Sequence, residues 1–188
     1  MHVLTKSEAH TITGCKNKMA RTIRTKVFKF DELNETAKQK AIEWYRDIND
    51  FDFVWDDTKE DAKNIGLKII QLSDHSKNKG EFMLSANEVA ANIFGSHGES
   101  CDTYKTAKEF MDEWQPVFNN YMDENHEDYE SNESENKLQD LEDEFLQSLL
   151  EDYRILYNSD IENCDSEEYI TEQIQANEYE FTADGRRF

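Results

Sequence analysis

From Lys137 onward the apolar residues return every third or fourth position: Leu138, Leu141, Phe145, Leu149, Tyr153 and Leu156, with Leu146 and Leu150 beside them. That recurrence matches the turn of an α-helix, so residues 137–157 read as a helix with one continuous apolar stripe. A stripe of this length has to be covered by other elements. The rest of the chain can supply them. A single Pro and six Gly among 188 residues leave few breakers, and 11 Phe, 8 Tyr and 3 Trp can fill one domain core.

Upstream, Val27 to Phe30 reads as a short strand, and Asn34 is placed to cap a helix whose inner face is Ala37, Ala41, Trp44, Tyr45 and Ile48. A second helix is predicted over about 53–65, with Gly66 closing it in the left-handed conformation. The β-rich runs Leu67 to Leu72 and Glu81 to Leu84 flank a polar loop and suggest a hairpin. A short helix over 87–94 should stop at Gly95. Thr103 can cap the next helix, whose stripe runs through Tyr104, Ala107, Phe110, Met111, Trp114, Val117, Phe118 and Tyr121. Pro116 lies inside that stripe and should kink or divide the helix near Gln115. Asp165 and Glu168 have the spacing of a capping box for a last helix over 166–177, followed by a strand at Tyr179 to Phe181. The expected class is α+β: about six helices packed on a small, mostly antiparallel sheet of three or four strands. Residues 1–20 read as a flexible basic arm, with Met19 placed as a candidate downstream start. Residues 21–188 read as a single acidic domain with a mobile acidic connection at about 122–136.

Charge narrows the functional classes. The chain carries −21, yet residues 1–30 alone carry +6, which leaves −27 for the remainder. A body of that sign repels nucleic acid and anionic membrane and attracts basic protein surfaces. Direct nucleic-acid and membrane partners are therefore not expected. No apolar run reaches spanning length, and the first residues lack the apolar core of a signal peptide. Cys15, Cys101 and Cys164 are far apart, which suits free thiols in a reducing compartment. The expected location is the cytoplasm.

Catalytic and metal patterns are weak. A calcium loop begun at Asp123 places Asn125 and Glu127 well, but Asp128 stands where Gly is required and Ser134 where Glu is required. His97 and Cys101 could form a metal or nucleophile pair with Ser96 and Ser100 nearby, though structural zinc needs a second ligand pair, and His126 and Cys164 lie far off. Neither phosphate-binding glycine motif is present. The reading is a non-enzymatic protein with no metal and no cofactor.

What remains is acidity itself. Between Asp123 and Asp152 thirteen residues are acidic and only Lys137 is basic. Asp140, Asp143, Glu144, Gln147 and Glu151 share the face opposite the apolar stripe, at spacings where like charges destabilise a helix by roughly 0.2–0.5 kcal/mol per pair. Acidic faces also serve solubility. A stiff row of carboxylates can in addition compete with phosphates for a basic cleft. The expected partner-binding residues are Asp123, Glu124, Glu127, Asp128, Glu130, Glu133 and Glu135 in the connection, and Asp140, Asp143, Glu144 and Glu151 on the helix.

Four segments, KVFKFDELNETAKQKAIEWYRD, HGESCDTYKTAKEFMDEW, LEDEFLQSLLEDY and YITEQIQANEYEFTADGRRF, resemble blocks of a mostly uncharacterised family of small acidic bacteriophage and prophage accessory proteins. The resemblance spans about Arg24 to Phe188 and carries no catalytic residues. It departs at Ser73 to Gly80, where many members have a loop rich in Gly and aromatic residues. It implies expression inside a bacterial host cell. With the acidic face, it leads to the expectation of a protein-binding inhibitor of a host nucleic-acid-handling defence machine, a CRISPR effector or restriction system, acting as a DNA mimic on its basic cleft. The alternative is a non-enzymatic adaptor or antitoxin-like interaction protein that uses apolar grooves.

Overall fold

Side-chain caps open several of the helices. In the computed structural model, which describes residues 24–188, Asn34 accepts a hydrogen bond from the Ala37 amide at 3.0 Å and opens α1, Glu35–Ile48. The expected arm and Cys15 lie outside the described residues. Helix α2, Asp52–Ile65, ends at Gly66, whose φ of 94° an L side chain adopts only with strain. The next strands, β2 (Leu67–Gln71) and β3 (Lys79–Phe82), form the expected antiparallel hairpin, with Leu67 opposite Phe82. Leu67 and Ile69 point inward, and Lys68 pairs with Glu81 across the outer face at 2.6 Å.

Helix α3, Ala86–Ser96, is opened by a reciprocal Ser85–Glu88 capping box. It runs through Gly95 and closes at His97, beyond the stop that Gly95 suggested. Helix α4, Asp102–Met122, is capped from Cys101, and Thr103 is a buried residue inside it. Pro116 does not divide α4. Pro116 and Asp112 are both exposed, so the carbonyl that loses its amide partner can be hydrated. Helix α5 spans Asn132–Cys164, longer at both ends than the apolar period indicated. Ser131 caps it through the Ser134 amide at 3.1 Å, and Glu133 and Glu135 sit in the first turn, where the helix dipole favours acid. The connection therefore shortens to residues 123–131 and follows successive turns, closed where the Glu130 amide donates to the Tyr121 carbonyl at 3.0 Å. Helix α6, Glu167–Ala176, is capped by Ser166, not Asp165; Asp165 instead pairs with Arg46 at 3.1 Å.

The strands do not join into one sheet. Strands β1 (Phe28–Lys29) and β4 (Glu180–Phe181) form a separate antiparallel pair, with Phe28 opposite Phe181. The protein is thus α+β with six helices and two two-stranded sheets among the described residues. Each sheet covers its own core. The larger core surrounds α5: Phe145, Leu149, Leu150 and Tyr153 meet Ile65, Leu67, Val89, Ile93, Ala107 and Trp114, and Phe110 stacks on Phe145 at 4.2 Å. The smaller core joins α1 and α6 under the β1–β4 pair through Ala37, Ala41, Ile42, Ile170, Ile174 and Phe181. Ile48, expected inward, is 54% exposed, and Ile42 takes the buried place. Gly185 seals this core, because a Cβ there would overlap the Ala37 backbone and its φ is 86°.

Candidate partner-binding surface on α4 and α5

Glu109 and Glu113 of α4 come together with Glu144 of α5 along one helix pair. Thr106 donates to Asp152 at 2.7 Å, Phe110 stacks on Phe145, and the Trp114 indole donates to Glu142 at 3.2 Å. Residue numbers rise on one helix as they fall on the other, so α4 and α5 run antiparallel. Beneath the rim they share a furrow of about 100 Å³ floored by Phe110, Leu141 and Phe145. Glu109 and Glu113 of α4 and Glu144 of α5 stand around it. Asp140, Asp143 and Glu144 are exposed, as are Glu109 and Glu113. None of these five takes part in an ion pair among the described residues.

The expected residues divide into three groups. Asp140, Asp143 and Glu144 lie together on the ordered half of α5, as the spacing indicated, and Asp143 accepts from Gln139 at 3.0 Å. Glu151 is drawn away from them. It pairs with Arg154 at 2.6 Å and accepts from Asn78 at 3.1 Å, while Arg154 also engages Asp74. The Arg154 hydrogen bond holds the Glu151 carboxyl below the usual range. Glu151 therefore fastens α5 to the hairpin loop. The connection residues Asp123, Glu124, Glu127, Asp128 and Glu130, with Glu133 and Glu135 just beyond, form a fringe past the end of the furrow. Asp123 accepts from the Asn125 amide at 2.9 Å and from its side chain at 3.1 Å, bonds that lower its pKa. Asp128 faces His126 at 3.4 Å. Among the described residues no group of three or more His, Cys, Asp or Glu side chains is arranged to hold a metal.

Three contributors lie outside the sequence expectation: Glu109, Glu113 and Asp152. Glu109 and Glu113 are four residues apart on α4, but only the antiparallel pairing with α5 brings them to the same furrow. Asp152 is half-buried at its end. Burial pushes its carboxyl up, the Thr106 hydroxyl opposes that, and the charges of Asp102, Glu151 and Glu109 add to the rise. Across Asp140 to Asp152, about 18 Å of helix, α5 carries Asp140, Glu142, Asp143, Glu144, Glu151 and Asp152. The facing stretch of α4 adds Glu109, Asp112 and Glu113 and contains Lys105 and Lys108. With Glu151 left out because Arg154 holds it, the balance is about one net negative charge per 3 Å, against about 1.7 Å for duplex DNA.

His97 and Cys101 end up at one cavity but not on one helix. His97 closes α3 and Cys101 caps α4. The His97 ring meets Thr103 Oγ1 at 2.7 Å through Nδ1, and Asp61 at 3.7 Å through Nε2. Both ring nitrogens face partners other than the Cys101 thiol. Asp61 in turn accepts from the buried Tyr153 hydroxyl at 2.7 Å, and burial raises that hydroxyl's pKa. These contacts tie α2, α3, α4 and α5 together. No helix among the described residues is long and apolar enough to cross a membrane. In comparisons with known proteins, the chain matches no family model, no curated protein and no solved structure. The fold and the face together define an acidic α+β protein with a carboxylate-lined two-helix surface.

Proposed function

We propose that this protein is a non-enzymatic, phage-encoded inhibitor that works inside the bacterial host cell. Its α4–α5 face occupies the basic cleft of a host nucleic-acid-handling defence machine, a CRISPR effector or a restriction system. The observation that carries this reading is a set of carboxylates on one rigid helix pair, Glu109, Glu113 and Glu144 around the furrow and Asp140 and Asp143 on the outer face of α5, with no cation paired to them among the described residues. Their charge density is about half that of a duplex and of the same sign, so a cleft built for phosphates is attracted to them electrostatically. Stiff helices hold the charges in place before binding, which lowers the ordering cost that a disordered acidic tail pays. The connection residues add long-range attraction at low salt.

The test is capture from host lysate on the immobilised protein, alongside the variant Glu109→Gln, Glu113→Gln, Asp140→Asn, Asp143→Asn, Glu144→Gln. The proposal expects a nucleic-acid-binding protein that is retained by the wild-type face, lost from the variant, and eluted by added duplex DNA. A partner retained equally by the variant contradicts it.

A further inference from the structure

A second surface has a different chemistry. Along the C-terminal half of α5, two cavities of about 310 and 550 Å³ share Asp61, Tyr153 and Leu156 and so form one groove. Helix α2 makes one wall, and the α3–α4 connection closes the far end. Three of the protein's large exposed apolar side chains stand on it: Phe53 at 44%, Ile155 at 51% and Leu156 at 48%. Carboxylates line the same groove: Asp57 and Asp160 at one end, Asp102 and Asp152 at the other, with Asp61 between. No Lys or Arg among the described residues lines either cavity.

We propose that this groove docks a basic amphipathic helix of a partner protein. From Asp152 to Cys164 the floor is about 18 Å long, or three helical turns. A helix laid there would set aliphatic side chains at i, i+3 or i+4 and i+7 against Phe53, Ile155 and Leu156, the helix-in-groove mode of recognition. Its Lys or Arg residues would meet Asp57 and Asp160, neither of which pairs with a cation among the described residues. Charge selects the occupant. A second copy brings another −21 to an acidic groove, whereas a basic helix brings the opposite sign. The groove meets the α4–α5 face only at Asp152, and its occupancy does not depend on nucleic-acid mimicry.

The probe is a fluorescein-labelled 14-residue peptide of Leu and Lys with leucines at helical i, i+3, i+4 and i+7 spacing. An isomer of equal composition has its leucines dispersed around the helix. Fluorescence anisotropy with the full chain should give binding at least tenfold tighter for the amphipathic peptide. Phe53→Ser with Leu156→Ser should weaken it at least tenfold, and Asp57→Asn with Asp160→Asn should weaken it and flatten its salt dependence. Phe53 and Leu156 are half-exposed, so folding should survive, and circular dichroism checks this. Neutralising Asp140, Asp143 and Glu144 should leave the preference between the two peptides intact. No binding, equal binding of the isomer, or unchanged binding by the Phe53/Leu156 variant overturns the proposal. So does a dimer that the same variant abolishes. Carbodiimide cross-links from Lys6, Lys16 or Lys18 to Asp57 or Asp160 in the free chain also overturn it, because the occupant is then the chain's own basic segment.

Discussion

Neutralising the α4–α5 face should make the free protein more stable, not less. In the variant Glu109→Gln, Glu113→Gln, Asp140→Asn, Asp143→Asn, Glu144→Gln, four like-charge contacts at i,i+3 or i,i+4 disappear: Asp140 with Asp143 and Glu144, and Glu109 with Asp112 and Glu113. Two opposite-charge spacings, Lys105 with Glu109 and Lys137 with Asp140, are lost with them, so at roughly 0.2–0.5 kcal/mol per pair the net relief is about 0.5–1 kcal/mol. The carboxamide oxygen introduced by Asp143→Asn can still accept from Gln139, and the furrow floor of Phe110, Leu141 and Phe145 is unchanged. For a chain of this length 1 kcal/mol moves Tm by about 2–4 °C, so the variant should melt about 1–4 °C higher. The assay is thermal unfolding by circular dichroism at low salt and at about 0.5 M salt. The screening length falls from about 10 Å at 0.1 M to about 4 Å at 0.5 M, less than the 5–6 Å between these side chains, so the gain should shrink by at least half. A lower Tm, or a gain equal at both salts, would refute the reasoning, because the carboxylates would then be holding the fold together.

Other perturbations test the scaffold. Tyr153→Phe removes the hydroxyl bond to Asp61; Asp61 is exposed enough to rehydrate, so the loss should be about 1 kcal/mol by chemical denaturation. Asp152→Asn should stabilise the protein at pH 7. The folded state raises the Asp152 pKa, so it binds that proton more tightly than the unfolded chain does. Stability from this group falls as pH rises through the ordinary aspartate range, and the variant's advantage should vanish below about pH 3.5. Glu151→Gln should act in the opposite sense. Its depressed pKa contributes stability above about pH 4.3 that is lost on acidification, and the variant should flatten that part of the pH–stability profile. Gly185→Ala should cost at least about 1–2 kcal/mol from the left-handed backbone alone, with further loss from overlap with Ala37, read as a lower Tm.

The sequence showed most clearly what depended on local pattern. The stripe from Leu138 to Leu156 named the central helix, Asn34 and Gly66 marked their boundaries, and the Leu67 to Leu84 region declared its hairpin. The first turn of α5 was hidden because it contains no apolar residue: Ser131, Glu133 and Glu135 act through capping and the helix dipole. Pro116 misled because its cost depends on whether the orphaned carbonyl reaches water, which is a tertiary property. Pairing of β1 with β4 spans almost the whole chain and carries no local mark. The site was half legible. Asp140, Asp143 and Glu144 follow from helical spacing, but Glu109 and Glu113 join Glu144 only through helix pairing. Glu151 leaves the face because Arg154, Asp74 and Asn78 hold it, and two of those partners are more than seventy residues away.

The most direct measurement of the central claim is competition at equilibrium. A fluorescent duplex bound to the purified host target is titrated with this protein and with its five-carboxylate variant, at several salt concentrations. The account predicts that the wild-type protein displaces the duplex, that displacement weakens steeply as salt rises, and that the variant loses it. Simultaneous binding of protein and duplex, or displacement by the variant as effective as by the wild type, would contradict it.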